Sequence, residues 1–135
     1  MNGEPRQSPT GRELEILKIL WDRGEATVRE VYHHMSRNSP VAQNTVQSFL
    51  RTMEEKGLVL HRVQGRTFYY EPLVRRDQTA QGLVSRLLER VFDGAMDQLV
   101  QSALALRQPT PEEIGRVDAL IAEARAAHKH QRPTP

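Results

Sequence analysis

Apolar positions recur along this chain with two different periods, and the switch between them marks its organisation. Leu14, Ile16, Leu17, Leu20 and Trp21 keep helical spacing. Just before them, Thr10 and Glu13 form a capping box, in which the hydroxyl accepts from the amide three residues on and the carboxylate reaches back. Gly24 follows as a left-handed stop. Thr27 and Glu30 repeat the box, and Val28, Val31, Tyr32 and Met35 lie on one face of a second, short helix. It ends near Arg37–Pro40, because proline disfavours the helical conformation in the residue before it. A third helix is predicted from about Ala42 to Lys56, with Val46, Phe49, Leu50 and Met53 inward and Gly57 closing it. Three short helices with tight connections make a helix-turn-helix bundle.

After Gly57 the period becomes two. Leu58–Val63 and Thr67–Glu71 are rich in β-branched and aromatic residues, and Gln64-Gly65-Arg66 is a short glycine turn between them. The segment predicts a β-hairpin, or wing, that cannot continue as a central strand past Pro72. Phe68 and Tyr70, at alternate positions, are expected to pack on the first and third helices. From about Asp77 the helical period returns in three stripes: Leu83, Val84, Leu87, Leu88, Val91 and Phe92; then Met96, Leu99, Val100, Ala103 and Leu104; then Ile114, Val117, Leu120, Ile121 and Ala124. Asp93-Gly94 separates the first two, and Thr110-Pro111-Glu112-Glu113 opens the last with a capping hydroxyl, a first-turn proline and acids at the positive dipole end.

The expected fold is therefore mainly α with a small β-hairpin. Residues 10–75 form a winged helix-turn-helix head and 76–127 a helical dimerisation domain, with 1–9 and 128–135 as disordered ends. Three amphipathic helices have too little core to stand as a monomer. A second copy is expected to cover Leu83, Leu87, Val91, Leu99, Val100, Leu104, Val117, Leu120 and Ile121.

Composition narrows the class. The chain of 135 residues has a formal charge of only +2. Between residues 37 and 70, however, it places five cations (Arg37, Arg51, Lys56, Arg62, Arg66) against two acids (Glu54, Glu55). Such a segment suits a polyanionic partner. With no cysteine there is no disulfide, thiolate metal site or cysteine nucleophile. No apolar run approaches a membrane span and the first nine residues are polar, so a cytoplasmic protein without membrane insertion is expected. His33-His34 point about a hundred degrees apart on a helix, and His128 and His130 lie in the predicted tail, so surface histidines outweigh a metal site. No phosphate loop, serine elbow or HExxH is present, which argues against an enzyme and against any cofactor.

A helix-turn-helix presents the leading end of its last helix to the major groove. Here that end carries Gln43, Asn44, Thr45, Gln47, Ser48 and Arg51. Amides pair with adenine, hydroxyls with base edge or phosphate, and the threonine methyl with the thymine methyl. Arg62 and Arg66 flank the wing turn, where a long cation reaches a phosphate. Glu54 and Glu55 favour a second reading, a winged-helix protein-interaction module. A ligand-sensing regulator would need an effector pocket that the small helical appendage does not obviously provide.

Arg12–Trp21, Ala26–Val31, Asn44–Leu58 and Gly65–Tyr70 together resemble the penicillinase-repressor (BlaI/MecI-type) family. Phe92-Asp-Gly94, Leu99-Val100 and Pro111–Ile114 are similar to that family's dimerisation helices, so the resemblance spans about residues 10–125. It implies a homodimeric repressor on a short palindromic operator, released by a membrane sensor protease that cuts near Ser102-Ala103. The cleaved members carry Asn-Phe at that place, and this chain does not. A copper-responsive branch uses a cysteine-rich C-terminal motif, and the absence of cysteine excludes that mode.

Overall fold

The computed structural model describes residues 8–131. Residues 1–7 and 132–135, part of the two expected disordered ends, lie outside the described residues. The element order is α1 (Gly11–Arg23), β1 (Ala26–Thr27), α2 (Val28–Ser36), α3 (Gln43–Glu55), β2 (Val59–Gln64), β3 (Thr67–Pro72), α4 (Arg76–Arg90), α5 (Met96–Leu106) and α6 (Pro111–Gln131). The chain divides into two compact units, with the boundary inside α4 between Arg86 and Leu87.

In the first unit the capping residues set the helix starts. Thr10 and Thr27 each form a full capping box, with Glu13 and Glu30. Gly24 and Gly57 adopt positive φ of 88° and 82° and end α1 and α3 where a side chain would be strained. Ile16, Leu17 and Leu20 of α1, Val31 and Met35 of α2, and Val46, Leu50 and Met53 of α3 are turned to one core, closed by Ala26, Leu58, Val59, Tyr70 and Val74. Each such large side chain contributes roughly 1.5–3 kcal/mol by leaving water, so the head carries its own core. The Trp21 indole donates to the Val74 carbonyl at 2.9 Å and pins the chain leaving β3 against α1.

The hairpin supplies two strands of a three-stranded antiparallel sheet of order β1-β3-β2, with β3 in the middle. The two-residue β1, too short to show a period in the sequence, pairs Ala26 with Tyr70 and Thr27 with Tyr69. Val59, His61, Val63, Phe68, Tyr70 and Pro72 share one sheet face by register. That face leaves the core as it runs towards the turn. Tyr70 is buried as expected, but Phe68 is 44 % exposed, contrary to its expected core position. Phe68 sits two residues nearer the turn and is stacked on the His61 ring at a centroid distance of 4.4 Å.

In the second unit, α4 stops at a turn in which Asp93 and Gly94 both take positive φ, and the Gly94 amide donates to Leu88 at 2.8 Å. At the start of α6, Thr110 and Glu113 exchange side-chain and backbone hydrogen bonds, and Glu113 receives both arms of the Arg107 guanidinium. These bonds, the arginine first, hold the Glu113 carboxyl down to about 2. The helix runs on through residues 128–131, which the sequence pattern had placed in the tail. Alanine-rich turns at Ala119, Ala122, Ala124, Ala126 and Ala127, with His128, Lys129 and His130 at the negative dipole end, favour that extension. No residue of α4 or α5 is buried.

Candidate nucleic-acid interface

α3 is amphipathic in the sense its pattern requires: Val46, Leu50 and Met53 take the inner face, so the residues between them are turned outward. Gln43, Asn44, Thr45, Gln47, Ser48 and Arg51 are all exposed. Among the described residues none of their side chains makes a hydrogen bond or ion pair within the chain. The α3 N-terminus also differs from those of α1 and α2, with Ala42 at its cap, no capping side chain and no acid in the first turn. Its amides and positive dipole end are left for an external acceptor.

The wing is fastened to the far end of this helix. His61 Nδ1 on β2 lies 2.7 and 2.9 Å from the two Glu54 oxygens on α3, and the Leu58 amide donates to the Met53 carbonyl at 2.9 Å. Burial, with the Glu54 carboxylate beside it, pushes the Tyr70 hydroxyl up. Glu54, one of the two acids that favoured a protein-binding reading, is thus engaged inside the head. His61 gave no sequence signal, since its partner lies across a turn on another element.

The five cations of the basic segment divide. Lys56 points inward, with Nζ 2.9 and 3.0 Å from both oxygens of the buried Glu13. Arg62 is also engaged. Its Nε and Nη2 donate to Glu25 at 3.0 and 2.7 Å, its Nη1 to Gln64 at 2.8 Å, and its guanidinium lies 4.6 Å from the Tyr69 ring centre. The Arg62 hydrogen bonds hold the Glu25 carboxyl below the usual carboxylate range. Among the described residues, Arg37, Arg51 and Arg66 have no carboxylate within ion-pair distance. Arg66 stands at the exposed wing turn beside Gly65, whose φ is 66°. Glu25 was invisible in the sequence because β1, which aligns it with Arg62, has no periodic signature.

The nine apolar residues expected at a dimer contact are all exposed or half-buried; Leu83 and Leu99 are half-buried and the other seven exposed. Among the described residues no three His, Asp or Glu groups are placed to hold a metal ion.

A polar, uncommitted third helix, flanked by an arginine-tipped wing and seated on a three-helix core, is the head of a winged-helix DNA-binding protein. The penicillinase-repressor family model matches residues 9–123, and the chain belongs to that family, one of transcriptional repressors and not of enzymes. The chain is 27 % identical over 120 residues to the penicillinase repressor of Bacillus licheniformis, covering 89 % of this chain and 91 % of that protein. Among solved structures, the DNA-binding domain of the repressor BlaI is 29 % identical, with 56 % of this chain and 90 % of that chain covered and a TM-score of 0.48. The monomeric form of Bacillus licheniformis BlaI bound to the blaP half-operator is 28 % identical, with 57 % and 92 % covered and a TM-score of 0.47.

Proposed function

We propose that this repressor works as a homodimer on a palindromic operator, with one head on each half-site. The exposed, internally unbonded face of α3 carries the reading: Gln43, Asn44, Thr45, Gln47 and Ser48 meet base edges in the major groove. Arg51, Arg62 and Arg66 meet phosphates. Binding of operator DNA by a relative supports this assignment, and the compartment is that of the DNA, the cytoplasm. Among the described residues no helix is long and apolar enough to cross a membrane.

Exposure supports dimerisation through residues 76–127. Among the described residues, eleven of the fifteen large hydrophobic side chains that stand open lie between Val84 and Ile121, more apolar surface than a lone helical appendage keeps in water. Release by proteolysis near Ser102-Ala103 would act on an exposed bond inside α5, which must unwind locally to enter a protease. A chain that stays whole throughout induction excludes that route.

The test of the DNA reading compares operator with scrambled duplex. Asn44→Ala or Gln47→Ala should weaken operator binding by roughly 1–3 kcal/mol for each good base contact and leave the scrambled duplex nearly unchanged. Arg66→Ala should weaken both and lower the log-log salt slope by about 0.9 per half-site. Equal losses on both duplexes for the α3 variants would reject their reading role.

A further inference from the structure

We propose that Glu25 is a built-in competitor for phosphate at the DNA interface: it holds Arg62 in the free protein and releases it only in exchange for a phosphate. The proposal rests on the reading that Arg62 meets the DNA backbone, and adds to it a competitor built into the same sheet. Glu25 immediately precedes β1, whose Thr27 is paired with Tyr69 on β3, and Tyr69 is in turn paired with Arg62 on β2. The three-strand register therefore lays the Arg62 side chain across Tyr69 towards Glu25. There the carboxylate takes two of the guanidinium's donor nitrogens at 3.0 and 2.7 Å, and Gln64 takes the third at 2.8 Å. A fork-to-carboxylate geometry is the same one a phosphate would use. The two acceptors compete for that Nε/Nη2 edge.

The consequence is electrostatic. When Arg62 turns to a phosphate, DNA sheds a counterion, but Glu25 is left bare and gathers a cation in its place. The net ion release from this contact is near zero, and its net affinity is small on any sequence. A wing cation that contributes little to random DNA leaves discrimination to the α3 side chains. Glu25 and Arg62 are each close to half exposed, so the pair can open without disturbing the core.

Glu25→Gln keeps the shape and removes the charge. Its effect is read on full-length protein, with operator and scrambled duplexes titrated at several salt concentrations. The variant should bind scrambled DNA about two- to fivefold more tightly at low salt, the range that release from an exposed ion pair allows. Its salt slope should rise by up to about 0.9 per half-site. Both gains should vanish in the Glu25→Gln/Arg62→Ala double variant. If Arg62→Ala weakens binding but Glu25→Gln changes neither affinity nor slope, the exchange is wrong while the wing contact stands. If Arg62→Ala weakens neither duplex even in the Glu25→Gln background, the wing contact fails and the exchange with it. Weaker binding by Glu25→Gln would make Glu25 a support of the wing and overturn the competitor role.

Discussion

Removing the Lys56 side chain tests how the head holds its recognition helix. The ammonium joins the last turn of α3 to the first turn of α1, where the Glu13 side chain is only 3 % exposed and that of Lys56 16 %. The carboxylate accepts three bonds: two from Lys56, and one from the Thr10 amide at 2.9 Å. Lys56→Ala leaves a buried charge with a single amide for company. Stranding one partner of a fully buried pair costs about 3–5 kcal/mol. Water that reaches the vacated edge reduces this, and a loss on the order of 2–3 kcal/mol is expected. Adding Glu13→Gln removes the stranded charge and keeps an oxygen for Thr10, so the double variant should recover at least about 1 kcal/mol. The chain has one tryptophan, at position 21 in α1, so urea unfolding followed by its fluorescence reports the head alone. The midpoint should fall at unchanged m-value. A Lys56→Ala protein within about 0.5 kcal/mol of the parent, or a double variant no more stable than the single one, would refute the reasoning.

Val117→Glu or Leu87→Asp should shift the chain to a monomer in sedimentation at micromolar concentration and weaken operator binding through the lost second head; a dimer that persists would place the contact elsewhere. Because the Glu113 pKa is depressed, from 4.5 to about 2, its contribution is present above pH 4.5 and is lost as pH falls towards 2. Acid titration of helicity should therefore show a loss in that window that Glu113→Gln removes, and identical acid profiles would argue against it. Leu50→Ala should cost about 2–5 kcal/mol, whereas the half-open Phe68→Ala should cost about 1 kcal/mol or less. Equal costs, measured by the same tryptophan signal, would restore Phe68 to the core.

Much of the fold was legible because its signals are local. The Thr10/Glu13 and Thr27/Glu30 boxes, the glycines at 24, 57, 65 and 94, and the change of period after Gly57 each act within a few residues and survive in any context. The outward face of α3 was legible for the same reason, since Val46, Leu50 and Met53 fix which side is in. What escaped depends on pairing between distant segments. β1 is two residues long and exists only by pairing with β3. The expected place of Phe68 failed because alternation gives the face of a strand but not where the core ends along it. His61, Glu25 and Glu13 found their partners 7, 37 and 43 residues away.

That distance changes how a basic segment is to be counted. Five cations between residues 37 and 70 suggest a strongly salt-dependent binder, yet Lys56 is committed to Glu13 inside the head and Arg62 to Glu25 on the sheet. Of the arginines on the proposed DNA face, only Arg51 and Arg66 start without a carboxylate partner among the described residues. Two net phosphate neutralisations per head give a dimer slope of about 3.6, against about 5.4 were Arg62 equally available. Other cations can add to the absolute value, so the comparison of variants is the sharper measure. Arg66→Ala should weaken binding and lower the dimer slope by about 1.8, whereas Arg62→Ala should change affinity little and leave the slope within about 0.5 of the parent. An equal fall for both variants would show that Arg62 releases counterions as an ordinary cation does, and that Glu25 does not offset it.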